Sequence, residues 1–172
     1  MALFRISDIK RRADVITRSE SRRTSKTADT ILREDARDTL DAASFDIFLS
    51  HSYLNADGVL ALKAEIESMG FSVYVDWMVD PHADREDVTK ETADLIRERM
   101  GQCGSLFYVT SSAATDSKWM PWELGYFDGK KQKVAILPVL ESDRATNSYS
   151  GQEYLGLYPY VTRDEVTLTF SP

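Results

Sequence analysis

Phe45-Asp46-Ile47-Phe48-Leu49-Ser50-His51-Ser52 decides the fold. Its first five residues are apolar at both odd and even positions and run directly into a polar Ser-His-Ser, so the segment reads as a strand covered on both faces that ends at a surface. The same grammar continues downstream. Asp57 to Met69 reads as a helix stopped by Gly70, and Phe71-Ser72-Val73-Tyr74-Val75 as the next strand. Thr89 to Met100 is helical through Ala93, Ile96 and Met100 and precedes a third strand, Ser105-Leu106-Phe107-Tyr108-Val109. A helix from Lys118 to Asp128 then leads to the strand Val134-Ala135-Ile136-Leu137-Pro138-Val139-Leu140. Alternation of this kind predicts an α/β fold of flavodoxin-like type, with a central parallel sheet of about five strands, helices on both faces and right-handed crossovers. In the tail, Tyr154 to Val161 supplies a last short strand and Val166 to Phe170 an edge strand or strap. No internal repeat is present.

Upstream of Phe45 the pattern differs. Ile6, Ile9, Ala13 and Ile16, then Ala28, Ile31, Leu32, Ala36 and Leu40, fall at helical spacing around a Ser/Thr-rich stretch at 17–27, which predicts two amphipathic helices. Charge also divides the chain: the first 44 residues hold ten Lys/Arg and eight Asp/Glu, leaving eleven against twenty for the rest. The expected organisation is an N-terminal helical extension over 1–44 and an α/β domain over 45–172. Acids interleave with the clusters Lys10-Arg11-Arg12 and Arg22-Arg23, which favours a solvated helix face, the alternative being a self-association or partner-docking arm.

With 172 residues and 42% hydrophobic content the chain can bury one ordinary core. A net charge of −7 and a pI of about 4.9 argue against nucleic acid as a partner. No apolar run approaches the roughly 18 residues of a membrane span. Arg5, Asp8 and Lys10 interrupt what a signal peptide would need, so the expected location is the cytoplasm, without membrane contact. One cysteine, Cys103, and two histidines, His51 and His82, give neither a disulfide nor a metal centre.

Ligands of parallel sheets sit at the carboxyl ends of the strands, where the winding direction reverses. The residues there are Ser50-His51-Ser52, Asp76-Trp77 and Thr110-Ser111-Ser112. Hydroxyls beside a histidine, an acid and a tryptophan suit a ligand with phosphates, sugars and a flat ring; for Ser111 and Ser112 helix capping is an equal alternative. A phosphoacceptor receiver would need acids after the first strand and an aspartate closing the third, and neither is present. Walker and Gly-rich dinucleotide loops are also missing.

The helix after the third strand carries Trp119, Trp122, Tyr126 and Phe127 at i, i+3, i+7 and i+8, with Glu123 at i+4 in the middle of that aromatic face. Burying an ionised carboxylate without partners costs several kcal/mol or more, by order of magnitude. Ser117 offers an N-cap and Pro121 is tolerated in the first turn. Periodicity alone leaves two readings open for Glu123: a hydrogen-bonded structural acid favoured by the helix N-terminus, or a functional carboxylate.

The order Phe48-Leu49-Ser50-His51-Ser52, Val73-Tyr74-Val75-Asp76 and Ser117-x-Trp119-x-x-x-Glu123-Leu124 resembles the three sequence boxes of TIR (Toll/interleukin-1 receptor) domains, over roughly Phe45 to Leu140. Trp119-x-x-x-Glu123 is similar to the WxxxE signature of TIR domains that hydrolyse or cyclise NAD⁺, and Asp76 to Pro81 with Trp122 to Gly129 resemble bacterial members, some of which serve antiphage defence of the Thoeris type. The Pro-Gly usual after the second strand is replaced by Asp80-Pro81-His82-Ala83-Asp84-Arg85.

The resemblance implies a TIR fold with Glu123 catalytic and Trp119 lining the pocket. Ser50, His51 and Ser52 would contact phosphates or the nicotinamide end, the alternative being capping and structural roles; Asp76 would orient the distal ribose or simply end its strand, and Trp77 would stack on adenine or belong to the core. Asp80 and Ser111 complete the implied substrate-binding set with Arg85, which would pair with a phosphate or with Asp84 or Asp87. NAD⁺ is then substrate and no cofactor is implied. The implied product is ADP-ribose or a cyclic or modified ADP-ribose signal, read by a downstream effector. A homo-oligomer through TIR–TIR contacts is the implied assembly. The alternative is a non-catalytic TIR interaction module.

Overall fold

The computed structural model describes residues 3–24, 26–38, 44–51, 56–75, 89–110, 117, 119–140 and 153–163. Within them lie β1 (Phe4–Arg5), α1 (Ile6–Thr24), α2 (Ala28–Asp38), β2 (Phe45–Ser50), α3 (Ala56–Glu67), β3 (Val73–Val75), α4 (Lys90–Gln102), β4 (Cys103–Thr110), α5 (Trp119–Lys131), β5 (Val134–Leu140) and a 3₁₀ turn at Glu153–Leu157. The strands form one sheet in the order β1-β5-β4-β2-β3, and every pair is parallel. This is the α/β, flavodoxin-like arrangement that the alternating sequence predicts.

Strand parity explains why both faces are apolar. Ile47, Leu49, Val75, Phe107 and Leu137 point to one side, where Ile9 and Ala13 of α1, Leu32 of α2 and Leu62 and Ile66 of α3 cover them. Phe48, Tyr74, Leu106, Tyr108 and Ile136 point to the other, under Ile96 and Met100 of α4 and Met120, Leu124 and Phe127 of α5. Register locks this pattern, with Leu49 beside both Val75 and Phe107, because a one-residue slip would turn every side chain to the wrong face.

Helix ends follow local chemistry. Thr89 caps α4 by accepting from the Thr92 N–H at 3.2 Å. After α3 a turn ends on Gly70, whose φ of +96° suits glycine.

Two N-terminal helices form, but α1 runs on to Thr24 through most of the Ser/Thr-rich stretch expected to separate them, since a hydroxyl such as that of Ser19, which donates to the Ile16 carbonyl at 2.8 Å, is accommodated within a helix. The segment also takes part in the sheet: Phe4 and Arg5 pair with Val139 and Leu140, and Phe4, Ile9 and Leu32 are buried in the same core as Leu49. The tail departs from expectation. Tyr154 to Val161 forms no strand; its first part turns into the 3₁₀ segment, closed by the Tyr158 N–H donating to the Leu155 carbonyl, and only Tyr160 bridges Ile136 in parallel. A backbone with i→i+3 bonds cannot also extend along β5. Val166 to Phe170 lies outside the described residues.

The winding direction places a crevice. From β2 the chain steps outward to β3, then returns to β4 on the opposite flank of β2. The carboxyl ends of β2 and β4 therefore flank the switch point where such sheets bind ligands.

Candidate active site

Ser50 is the last residue of β2, level with Tyr108 of β4. It shares the face of Phe48, so its side chain is directed at α5. α5 presents Met120, Glu123, Leu124 and Phe127 as its buried stripe, one acid among three apolar residues at helical spacing. The two elements meet at these polar groups: Ser50 Oγ donates to Glu123 Oε2 at 2.5 Å, with the residues 1% and 5% exposed. A hydroxyl-to-carboxylate bond of that length is in the charge-assisted range and offsets part of the penalty of removing the carboxylate from water.

The start of α5 is fixed as its sequence suggests. Ser117 Oγ accepts from the Met120 N–H at 3.2 Å, and Pro121 is exposed in the first turn. Glu123 is thereby set just past the first turn, facing the end of β2.

The aromatic residues of α5 lie elsewhere than periodicity placed them. Glu123 does not sit in the middle of one buried aromatic face. Trp119, Trp122 and Tyr126 are only half-buried and form a ladder on the flank: Trp119 meets Trp122 edge-on at 5.4 Å and Trp122 stacks on Tyr126 at 5.8 Å. Arg97 of α4 lies over that ladder, 5.2 Å from the Trp122 ring centre and 5.8 Å from that of Tyr126. Successive helical residues are about 100° apart, so Trp119 and Glu123, one turn apart, remain neighbours while Trp122 turns away. Arg97 was missed by sequence reading. The signal was its place one residue after Ile96 on a helix that packs beside α5, which a sequence shows only once the helix order is known.

Ser50, His51, Trp119 and Glu123 are the sequence-selected site residues that the structure describes. His51 follows β2 directly and is buried. Ser52, Asp76, Trp77, Asp80, Arg85 and Ser111 lie outside the described residues. Thr110, at the carboxyl end of β4, is buried beside Pro138.

Other reactive groups are accounted for by their surroundings. Burial pushes the Cys103 thiol up to about 12, and its Sγ donates to the Arg99 carbonyl at 3.2 Å, which keeps it protonated and unreactive. Hydrogen bonds from Lys90 and Arg97 hold the exposed Asp94 carboxyl below its usual range. Among the described residues no group of three or more His, Cys, Asp or Glu is arranged to hold a metal ion, and no helix is long and apolar enough to cross a membrane.

No family model matches the chain. Two curated proteins are similar to it. One, from Bacillus cereus strain MSX-D12, is named "Probable 3' cyclic ADP-D-ribose synthase ThsB'" and is 61% identical over 122 residues, 71% of this chain. The other, "Putative cyclic ADP-D-ribose synthase TIR2" of Cytobacillus dafuensis, is 25% identical over 99 residues, 57% of this chain. The matched regions span 63% and 26% of the lengths of these relatives. With an all-parallel sheet that places Ser50 of the first sequence box against Glu123 of the third, and with such relatives, the chain belongs to the TIR domain family.

Proposed function

We propose that this chain cleaves the bond between nicotinamide and ribose in NAD⁺, with Glu123 as the catalytic carboxylate. The observation that carries the reading is the buried Glu123 held by Ser50 at the carboxyl end of β2, beside the switch point of the sheet. The names of the two relatives support it, because a cyclic ADP-ribose is what NAD⁺ becomes when nicotinamide departs and the ribose cation is captured internally.

Nicotinamide leaves a positively charged ring system as a neutral base, taking the electron pair of the C–N bond. No general acid is needed, unlike in most glycosidases, where a second carboxyl protonates the leaving oxygen. What remains is an oxocarbenium-like ribose. Glu123 accepts from its hydroxyls and stabilises the developing charge, an interaction strengthened where water is excluded. Water attacking the cation gives ADP-ribose and a proton; a nucleophilic atom of the same molecule, losing its proton as the new bond forms, gives a cyclic ADP-ribose, one water lighter. Trp119, one turn before Glu123, stacks on the sugar or base and biases that choice. Ser52, Asp76, Trp77, Asp80, Arg85 and Ser111 complete the proposed substrate-binding set, with no cofactor.

The proposed setting is the bacterial cytoplasm, in antiphage defence, with TIR–TIR contacts building a homo-oligomer and a downstream effector reading the product. The test is incubation with NAD⁺ over a range of protein concentrations, with nicotinamide resolved by chromatography and the nucleotide product by mass spectrometry. Glu123→Gln should lower turnover at least about 100-fold, the scale of a lost transition-state contact. Equal turnover by wild type and Glu123→Gln would refute the assignment. No nicotinamide release by an oligomeric wild type would favour an interaction module.

A further inference from the structure

Ser50 has one hydroxyl hydrogen, and Glu123 holds it. A serine binds phosphate by donating that same hydrogen, so Ser50 cannot hold Glu123 and serve as a phosphate donor at once. The strand supplies what a positioning group requires. Ser50 is the terminal residue of a central strand hydrogen-bonded on both sides, and its partner in register, Tyr108, lies in the core. Glu123, by contrast, has a long side chain with several rotatable bonds on a different element, 73 residues away in sequence. A buried bond between a rigid donor and a flexible acceptor fixes the acceptor.

We propose that Ser50 is a positioning residue: it orients the Glu123 carboxylate for the ribose cation before substrate arrives and does not itself bind the dinucleotide phosphates. The proposal rests on the reading of Glu123 as the catalytic carboxylate. A carboxylate already aligned needs no reorganisation when charge develops, which is where preorganised sites gain their rate.

Steady-state nicotinamide release by Ser50→Ala and Ser50→Thr tests this. Loss of a hydrogen bond to a charged group corresponds to about a 10- to 100-fold effect, expected here in kcat with KM close to wild type. Ser50→Thr, which keeps the hydroxyl, should recover most of the rate. In a Glu123→Gln background, Ser50→Ala should cost nothing further, since residues that act as a unit are not additive. A raised KM with unchanged kcat would overturn the proposal by making Ser50 a substrate ligand, and unchanged kcat and KM would make it a bystander. Should Ser50→Ala fail to fold, Ser50→Cys, a weak donor of similar size, is judged by the same split. A thermal double-mutant cycle between Ser50→Ala and Glu123→Ala, which removes the acceptor altogether, adds a readout without turnover: coupled Tm changes support the contact and additive ones overturn it. Failure of the Glu123 reading looks different, with wild type and Glu123→Gln equally active or equally inactive.

Discussion

The ammonium of Lys131, at the end of α5, donates to the Gly101 carbonyl at the end of α4 across 2.8 Å, and also to the carbonyls of Met100 and Cys103. The last carbonyls of a helix have no partner within it and carry the negative end of its dipole. A lysine from the neighbouring helix therefore caps α4 and ties together the two helices on the site-bearing face. The same Nζ lies 5.4 Å from the Phe127 ring centre. Lys131→Met keeps the apolar stem and removes the donors; it should destabilise the fold by about 1–2 kcal/mol. In calorimetry that is a Tm lowered by about 2–4 °C for each kcal/mol in a domain of this size. An unchanged Tm would mean that water replaces the lysine at no cost.

The parts of the fold legible in the sequence are those where burial is two-sided. Phe45 to Leu49, Val73 to Val75, Leu106 to Val109 and Val134 to Leu140 are apolar at every or nearly every position, and all four are strands. β1 was not legible: two residues cannot show a period, and Phe4-Arg5 runs directly into the helical spacing that begins at Ile6. The tail misled because Tyr154, Leu155, Leu157 and Tyr158 have the composition of a strand, whereas the backbone turns at Glu153, whose φ is 48°. Glu123 stood out as an acid on an ordered helix, yet its setting was misjudged. Trp119, Trp122 and Tyr126 recur at helical spacing, but so do Met120, Glu123, Leu124 and Phe127, and periodicity cannot say which stripe the sheet covers. The Ser50–Glu123 contact follows only once strand parity and helix placement are both known.

Phe4 measures how far the first residues belong to the core. It is 1% exposed, in one apolar cluster with Leu49 and Leu137. Phe4→Ala should cost about 3–5 kcal/mol, the scale for removing a fully buried aromatic ring. Denaturant unfolding followed by tryptophan fluorescence should show a single transition moved to lower denaturant. Because all three tryptophans lie at 77, 119 and 122, outside the first 44 residues, that probe reports on the sheet domain and not on the N-terminal helices. A midpoint unchanged from wild type would mean that residues 1–44 contribute nothing to that domain's stability.

Asp46 supplies a pH-dependent link between β2 and β3. The backbone N–H and the hydroxyl of Ser72 both donate to Asp46 Oδ2 at 2.7 Å, while the Ser72 hydroxyl accepts from the Asp46 N–H at 2.9 Å. The backbone bond first, and the hydroxyl bond second, hold the Asp46 carboxyl below its ordinary value of 3.8. A carboxyl whose folded pKa is depressed adds stability that is fully present above its unfolded pKa and is lost as pH falls through the folded one. The gap in stability between wild type and Asp46→Asn should therefore be constant from neutral pH down to about pH 5 and close progressively below it. Ser72→Ala, which removes the hydroxyl and keeps the backbone donor, should show a smaller acid-dependent gap of the same sign. Denaturant titrations of the three chains at stepped pH give the answer. A gap that widens toward acid would mean that Asp46 is better protonated when folded, and the two Ser72 donors would then not govern its charge.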